Sequence, residues 1–563
     1  MGSVAVDRSS PKEDEPGTGR EVARSASVIG IAVLASRVLG LVREQVFAAF
    51  FGAGYVFDAF VTAFRIPNLL RDLFAEGALS AAFVKVFSQT LERDGRRRAS
   101  ELASRLVLVL LLLVGAIVLA GILFAPWIVK AIAPGFEPDQ QQLAVDLARL
   151  MLPFLLLVSL AAVAMGVLNS SDRFFVPALA GAFFNLGSLL VGLAAAYLFE
   201  PEYITEAAQA AWSGRPIPED LHRAASAIFG MALGVLAGGA LQVLMQTPSL
   251  WRSGFRFRPD LPDLKLKDPG LREIFRLMGP AVIGTAAVQI NVFVNNNFAS
   301  RLEHGAVSWL NYSFRFMQFP IGVFGVAIAT ATLPAIARAM ARHDEVDFKR
   351  TLVSSLRLAL FLTVPSAVGL IALRRPIVAL IYERGSFHAG DTVQTAGALA
   401  FFAGGLVGYA LIKILAPAFY AVDDSKTPAR ISLLSILFNL GLCALLVGPF
   451  GHRGLALSTA LVATLNALFL FLLLRSRVGA LGERELLSAL ARILLASAVL
   501  WPACRLGLRL LHDVLPGTGA GARSVHVFGS ILLGGGAFLL AAKLLRLKEL
   551  DRLAALLRRR PRS

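Results

Sequence analysis

Arginine residues lie inside apolar stretches of this chain, where a side chain facing lipid would be neutral. Arg37 and Arg43 fall in the first such stretch, Arg71 falls in the second, and Arg315 falls in a later one, LNYSFRFMQFPIGVF. A charge at the centre of a bilayer costs about 2.5–3.5 kcal/mol on insertion scales, so such residues usually face a bundle interior or a water-filled cavity. Planar guanidinium groups bind phosphate oxygens in pairs. The pattern therefore predicts a cavity for an anion, with a phosphate or pyrophosphate head group as its natural guest.

The alternative interpretation is that these arginines pair with nearby carboxylates or extend to a membrane interface. Arg43 and Arg71 each precede a carboxylate, at Glu44 and Asp72, whereas Arg315 has no adjacent acidic residue. Pairing therefore explains individual arginines better than it explains the whole set.

The second apolar stretch holds further polar residues. Asp58 and Arg65 are seven apart in sequence and so share one helix face. Asn68 follows Pro67, and we expect this pair to open the backbone and let Arg71 turn inward. Arg65 and Asn68 therefore join the candidate binding residues.

The composition is that of a polytopic membrane protein. The chain has 563 residues, of which 56% are hydrophobic and only 17% are charged, with a mean hydropathy of +0.67. Soluble domains carry about 25% charged residues. Because one crossing takes about 20 apolar residues, we predict an all-α fold with fourteen transmembrane helices. They lie near 26–51, 56–90, 104–131, 147–168, 175–199, 223–250, 276–300, 306–338, 355–381, 393–421, 429–448, 454–475, 487–511 and 524–546.

The charges of the loops predict the orientation of these spans. Connections after even-numbered spans are rich in Arg and Lys, as in 93–98 and 252–276, whereas the fifth-to-sixth connection is mainly acidic. By the positive-inside rule, the even-numbered connections and both termini are cytoplasmic. The net charge of +17 is then explained by topology and by contact with anionic lipid, and no nucleic acid is expected.

Short motifs recur at a nearly constant offset. Asp172 and Asp423 are 251 apart, and Phe64-Arg65 recurs 250 residues later as Phe314-Arg315. Such an offset predicts two pseudo-symmetric six-helix halves with a substrate site between them. The predicted organisation is a disordered tail (1–24), an N-lobe (25–250), a basic linker (251–275), a C-lobe (276–476), a final helix pair (485–546) and a basic tail (547–563).

No catalytic motif appears in the sequence. There is neither a P-loop nor a nucleophile elbow, so we expect a transporter without covalent chemistry or a cofactor. Its energy would come from an ion gradient, the membrane potential or the substrate gradient. No histidine or cysteine has metal-ligand spacing. Asn295 and Asn439 are weak candidates for a sodium site, and hydrogen bonding between helices is the favoured interpretation.

Several segments resemble one bacterial family. SRVLGLVREQVFAAFFGAGYVFDAF, FRIPNLLRDLFAEGALSAAFVKVF and KILAPAFYAVDDSKTP are similar to the MurJ/MviN lipid II flippases of peptidoglycan synthesis. That family belongs to the multidrug/oligosaccharidyl-lipid/polysaccharide exporter superfamily. The resemblance covers about 24–546. It implies a bacterial inner-membrane protein with fourteen helices: two six-helix lobes and a final pair that forms a groove for the lipid tail.

The resemblance also implies roles for particular residues. Those that it marks as essential or functionally important are Arg37, Arg43, Arg71, Arg315, Ser36, Asp58 and Glu76. Phe314 and Gln318 stand where family members commonly carry an acidic residue, so we expect Arg315 to be little neutralised. The carboxylates of a sodium site proposed for some members are not evident here.

The expected function is transfer of lipid II from the inner to the outer leaflet by alternating access, with the pyrophosphate held by the arginine cluster. The expected partners are lipid II and membrane lipids, with cell-wall synthesis proteins as further candidates, and we expect a monomer. One alternative is a multidrug or other polysaccharide-lipid exporter of the same superfamily. Another is a scaffold for cell-wall enzymes, against which the arginines argue.

Overall fold

The computed structural model describes residues 16–72, 78–213, 220–257, 268–517, 519–551 and 553. These residues form helices joined mostly by short turns. The helices are α1 (Pro16–Phe51), α2 (Tyr55–Arg71), α3 (Ala78–Ile132), α4 (Pro138–Met151), α5 (Phe154–Asn169), α6 (Phe175–Phe199), α7 (Pro201–Ser213), α8 (Leu221–Arg252), α9 (Pro269–Ala299), α10 (Ala306–Pro320), α11 (Val326–Ala341), α12 (Glu345–Ala372), α13 (Arg374–Tyr382), α14 (Ala389–Ala421), α15 (Lys426–Phe450), α16 (His452–Val478), α17 (Glu483–Val514) and α18 (Ala520–Leu544). A π-helical turn, Ile321–Gly325, joins α10 to α11.

Within the described ranges, eleven helical segments are long and apolar enough to cross a membrane. The three other predicted spans, near 26–51, 56–90 and 276–300, are also helical in their described residues. They coincide with α1, with α2 and the start of α3, and with α9. The prediction of an all-α polytopic membrane protein is confirmed, and the count of fourteen is consistent with the structure.

Two local expectations differ from the structure. Helix α1 begins at Pro16, before the predicted end of the tail at residue 24. Helix α2 runs through Pro67 and Asn68 to Arg71, so the predicted opening of the backbone is wrong. A membrane helix tolerates an interior proline such as Pro67 because neighbouring helices and local adjustments compensate for the missing N–H bond.

The chain turns sharply inside α3. Gly95 has φ +78° and ψ +176°, which breaks the helix between the end of the second span and the start of the third. A left-handed φ of this kind is open to glycine at little steric cost. The basic residues of 93–98 therefore lie at the tip of a tight helical hairpin.

Small residues let helices approach closely within each half. A Cβ on Gly234 of α8 would lie 2.3 Å from the carbonyl oxygen of Ser188 on α6, and a Cβ on Gly408 of α14 would lie 2.7 Å from the amide nitrogen of Thr464 on α16. Close backbone packing of this kind is a main source of helix association in lipid.

One turn of the predicted repeat has the same geometry in both halves. Asp172 and Asp423 both have φ +57°, although neither is glycine. In each turn the next residue donates its N–H to a carbonyl five residues back, from Arg173 to Leu168 and from Asp424 to Phe419, at 2.9 Å in both cases. The offset of 251 therefore joins positions that are equivalent in structure as well as in sequence.

The last two long helices pack outside the second half, where α17 contacts α12 and α18 contacts α13. The segment after α18 also contacts the bundle, since the Glu549 carboxylate is buried and accepts a 2.5 Å hydrogen bond from Arg357 Nε. The exact division of the chain into the predicted segments stays a prediction.

We name the two ends of the bundle by their connections. The odd-loop end carries the turns near residues 53, 135, 303, 385 and 451, and the even-loop end carries those near 95, 172, 254, 343 and 423. At the even-loop end, Asp268 joins the two halves. Its carboxylate caps α9 by accepting the Gly270 N–H at 2.9 Å, and it pairs with Arg98 at 2.8 Å and with Arg105.

Burial of the Asp268 carboxylate opposes ionisation, but hydrogen bonds from Arg105, Gly270 and Arg98 hold its pKa below its ordinary value. A lowered pKa in the folded state means that the carboxylate stabilises the protein above the unfolded pKa of about 4. That stabilisation is lost as the pH falls through the lower pKa of the folded state.

We therefore expect Asp268→Asn to lower the thermal-unfolding midpoint in detergent at pH 7. The loss should correspond to about 1.5–3 kcal/mol, the usual range for hydrogen bonds to a charged group. The gap between the two proteins should narrow below about pH 4, where the carboxylate of the unfolded chain begins to protonate and the advantage of the folded state declines. Equal midpoints at pH 7 would contradict this role, and exposed Asp513→Asn serves as the control.

Candidate functional site

The two halves meet at a buried carboxylate. Asp58 of α2, which is 2% exposed, accepts hydrogen bonds from the N–H groups of Gly305 (2.7 Å) and Ser308 (2.8 Å) and from the Ser308 hydroxyl. Gly305, with φ +96°, begins α10. Asp58 therefore caps the positive end of a helix that belongs to the other half of the chain.

The pairing also locates the axis that relates the two halves. Ser308 lies 250 residues after Asp58, the same offset that relates Arg65 to Arg315. Two equivalent positions that contact each other must lie beside the pseudo-twofold axis. Arg65 and Arg315 each lie seven residues further along the same helix face, so both face the interface between the two halves. We call this interface the seam.

Other bonds between the halves close the odd-loop end. Tyr312 donates to the Gly52 carbonyl at 3.0 Å, and the Ser386 N–H donates to the Ala49 carbonyl at 2.9 Å. Asn297 donates to the Ala131 carbonyl at 2.8 Å. These contacts come from α1, α3, α9, α10 and the turn before α14, so several helices hold this end shut.

The two equivalent arginines make reciprocal contacts across the seam. Arg65 of α2 donates to Asn296 Oδ1 of α9 at 2.7 Å, and Arg315 of α10 pairs with Glu44 of α1 at 3.0 Å. Each arginine therefore reaches the first helix of the opposite half. One partner is a neutral amide and the other is a carboxylate.

Glu44 neutralises more than one arginine. The same oxygen, Oε1, lies 3.0 Å from Arg43 Nη2 and 3.0 Å from Arg315 Nη2. Arg43 and Glu44 are both buried, and the Arg43 guanidinium lies over the ring of Phe184. Arg43 is also within electrostatic range of Arg71. The expectation that Arg315 is little neutralised is wrong, because its carboxylate comes from α1 and not from its own helix.

Arg37 carries a charge that no described carboxylate shares. Its side chain is exposed to the seam, and its guanidinium lies against Gly322 in the π-helical turn. A Cβ at Gly322 would lie 2.4 Å from Arg37 Nη1, so a larger residue there would displace the guanidinium from this position. Arg37 of the first half thus reaches the eighth span, as Glu44 does.

Ser36 does not line the seam. Its hydroxyl lies against Gly181 of α6, where a Cβ would come within 2.6 Å, and its carbonyl accepts a 3.0 Å hydrogen bond from Asn185. The residue therefore fixes α1 against α6, one position before Arg37.

Arg71 lies at the end of α2. Its guanidinium bonds the Asp72 carboxylate at 3.0 Å, and the other Asp72 oxygen accepts from Gln289 of α9 at 2.8 Å. Asn68 lies one turn earlier and is half-buried. Glu76, which the sequence predicted to take part, lies outside the described residues.

The candidate sodium ligands form a neutral network. Asn439 of α15 donates to Asn295 Oδ1 of α9 at 3.0 Å, and Asn295 donates to Thr459 of α16 at 2.8 Å. Ser458 donates to Asn439 Oδ1 at 3.1 Å. This is the hydrogen bonding between helices that the sequence favoured. Among the described residues no cluster of three or more His, Cys, Asp or Glu side chains has metal-binding geometry.

Among the described residues, the seam thus carries five arginines, Arg37, Arg43, Arg65, Arg71 and Arg315, and the carboxylates of Glu44, Asp58 and Asp72. Sequence reasoning found its arginines but missed Asn296 and Gly322, and it placed Glu44 only beside Arg43. The Phe-Arg repeat was a usable signal, because an arginine at equivalent positions of two halves faces a common axis.

Comparison with known proteins assigns the chain to a family. The family described as "Lipid II flippase MurJ" matches residues 47–512. The chain belongs to the MurJ family of lipid II flippases. MurJ-family relatives with this name include proteins of Burkholderia cenocepacia, 37% identical over 80% of this chain and 83% of the relative, and Vibrio cholerae, 33% identical over 94% and 98%.

Solved structures show the same fold. A MurJ lipid II flippase in an inward closed conformation matches with a TM-score of 0.70 at 24% identity, covering 92% of this chain and 99% of that one. An inward-facing multidrug resistance MATE transporter matches with a TM-score of 0.57 at 16% identity, covering 81% and 95%. At these sequence identities, the structural matches are evidence for the fold only.

We expect Glu44→Gln to destabilise this MurJ-family protein, because Gln leaves the charges of Arg43 and Arg315 without their shared carboxylate. The thermal-unfolding midpoint in detergent should fall by the equivalent of roughly 1–3 kcal/mol, since Arg315 is partly exposed and screened. Glu303→Gln, at an exposed position on the odd-loop turn, should leave the midpoint unchanged. Equal midpoints for both variants would show that the seam does not need the Glu44 charge.

Proposed function

We propose that this protein flips lipid II from the inner to the outer leaflet of the bacterial cytoplasmic membrane by alternating access, as a transporter without covalent chemistry. The substrate is assigned from the family, which is described as lipid II flippases. The observation that carries the site is the cationic seam, where Arg37 has no described acidic partner and Arg43 and Arg315 share one carboxylate.

The pyrophosphate of lipid II would lie between Arg37, Arg43, Arg71 and Arg315, and Arg65 would add a fifth cation. Guanidinium groups match phosphate oxygens two at a time. Arg315 would exchange Glu44 for the phosphate when the substrate enters. Ser36 would act as a positioning residue for Arg37, whereas Asp58 would hold the halves together.

The distribution of charge supports an orientation in which the even-loop end faces the cytoplasm. Described basic residues cluster at the even-loop end, for example Arg96, Arg252 and Arg342, which the positive-inside rule assigns to the cytoplasm together with both termini. The odd-loop end, closed by Asp58 and Tyr312, would then face outward. The head group would enter from the cytoplasmic side, and exchange of the Asp58 contacts would open the outer side.

Exposed apolar residues on the last two helices suit the lipid tail. Leu494 and Leu495 of α17 and Leu532 and Leu533 of α18 are each at least half exposed. We propose that this pair supports the undecaprenyl chain beside the second half. The protein would work as a monomer in contact with membrane lipids, and any cell-wall enzymes would bind from outside the seam.

The membrane potential is the proposed energy source. An inside-negative potential favours outward movement of each negative charge by about 2.3 kcal/mol per 100 mV. The network around Asn295 and Asn439 consists of neutral side chains and offers no carboxylate to bind sodium. Transport driven by the membrane potential does not need a cation gradient.

We expect Arg37→Ala to abolish complementation of a strain depleted of its lipid II flippase. Loss of one charge-assisted phosphate contact should reduce translocation roughly 10- to 100-fold. Arg509→Ala, at an exposed position on α17, is the matched control and should complement. Normal growth of the Arg37→Ala strain at equal protein level would refute the binding role of the seam.

We also expect translocation of lipid II by the purified protein in vesicles to depend on the potential. Imposing an inside-negative potential with potassium and valinomycin should accelerate outward movement, and collapsing it should slow it. A sodium gradient at zero potential should have no effect. An unchanged rate after collapse would remove potential coupling while leaving the assigned substrate intact.

A further inference from the structure

A second basic site lies outside the seam, at the even-loop end of the first half. It is a cavity of about 330 Å³ between the α3 hairpin, the turn after α5 and the end of α8. Its charged lining is Arg96, Arg173, Arg252 and Asp172, and Phe87 and Phe255 form part of its apolar wall. We call it the N-half cavity. The lining thus contains three arginines and one aspartate.

Most donors of these arginines are uncommitted among the described residues. The Arg173 guanidinium donates from Nη2 to the Arg252 carbonyl at 3.2 Å. The Arg96 guanidinium lies over the Gly254 backbone, where a Cβ would be 3.6 Å from Nη1. The side chains of Arg96 and Arg252 form no ion pair within the described ranges. Neighbouring Arg97 and Arg98, by contrast, both pair with Glu101.

Three serine hydroxyls of the cavity already have hydrogen-bond partners. The hydroxyls of Ser170, Ser171 and Ser253 each donate to a backbone carbonyl of their own helix, at 2.6–2.9 Å. The N–H groups of Arg173 and Phe255 close the two turns. Attraction for a ligand therefore comes from the guanidinium groups, and these select an anion with several oxygens.

The second half offers a comparison within the same chain. Arg173 corresponds to Asp424 at the offset of 251, and the two turns have the same geometry. Asp424 pairs with Arg477 at the end of α16, at 2.9 Å, and also caps α15. In the first half an arginine stands in the place of the aspartate and faces another arginine. Turn geometry does not require this positive charge.

The surroundings of the N-half cavity indicate where its ligand comes from. Phe174 and Trp251 are the sequence neighbours of Arg173 and Arg252, and Phe257 lies two residues after the lining residue Phe255. These three aromatic side chains are 40%, 69% and 43% exposed. Exposed aromatic residues at helix ends are typical of the head-group layer of a membrane. Basic pockets between helices on the cytoplasmic side bind anionic lipid head groups.

We infer that the N-half cavity binds a phosphate group through Arg96, Arg173 and Arg252, presented by an anionic phospholipid at the even-loop face. The chemistry that the two sources share is a phosphate group, and a soluble phosphate is the alternative source. This site is separate from the seam, so it stands whether or not the proposed transport role of the seam is correct.

The test measures thermal stabilisation of the purified full-length protein in micelles by added phosphatidylglycerol, with phosphatidylcholine as the neutral reference. Arg96→Ala and Arg252→Ala should each raise the phosphatidylglycerol concentration for half-maximal stabilisation about fivefold, the effect of one basic residue near an anionic surface. Arg97→Ala, whose side chain is 82% exposed and pairs with Glu101, should match wild type.

A second pair of variants avoids removing an arginine. Ser171→Glu adds a carboxylate to the cavity, and Ser171→Gln adds a neutral side chain of the same length. Phosphatidylglycerol should bind more weakly to the Glu variant than to the Gln variant. Equal stabilisation of Ser171→Glu and Ser171→Gln, or of Arg96→Ala and Arg97→Ala, would overturn the proposal.

Inorganic phosphate at constant ionic strength distinguishes the two sources. If the ligand is a lipid, phosphate should neither stabilise the protein nor displace phosphatidylglycerol. Suppose that phosphate stabilises the wild-type protein, that Arg252→Ala weakens this stabilisation, and that phosphate competes with the lipid. The N-half cavity is then a phosphate site whose ligand is soluble.

Discussion

The arrangement of the two halves depends on the buried carboxylate of Asp58. An unpaired carboxylate in an apolar interior is costly, and this one is stabilised by three donors at the positive end of a helix from the other half. Because the donors belong to one helix and the acceptor to another, the contact fixes the relative positions of α2 and α10. Every residue further along the same faces, including Arg65 and Arg315, is placed by it.

The seam combines symmetry of position with asymmetry of charge. Arg65 and Arg315 occupy equivalent positions and each reaches the first helix of the opposite half, but one meets Asn296 and the other meets Glu44. If both partners were acidic, the seam would hold together more strongly and would have less attraction for an anion. The neutral amide at one side leaves positive charge available, and the carboxylate at the other keeps Arg43 and Arg315 from repelling each other.

The sequence was sufficient to predict the helical spans, the repeat and the arginines of the seam. Hydropathy, a constant offset and charge are local or periodic signals that can be recognised in the sequence itself. The sequence was insufficient for contacts between halves. Glu44 and Arg315 are separated by 271 residues, so their pairing has no local signature, and Arg315 was expected to be free. Ser36 was assigned to the site, yet a helix rotation visible only in the packed bundle turns it toward Gly181. Pro67 was a misleading signal for an opened backbone, because a helix tolerates proline when neighbouring helices pack against it.

The contact between Asp58 and Ser308 also bears on how such a chain arises. In a symmetric dimer of half-length chains, a residue beside the twofold axis meets its own copy. An aspartate there would face an aspartate and be repelled, and a serine would face only a serine. Once both halves are fused in one gene, the two copies of the position are free to diverge into an acceptor and a donor. The hydrogen bond between the Asp58 carboxylate and the Ser308 hydroxyl is therefore one that a homodimer with identical residues at this position is unable to make.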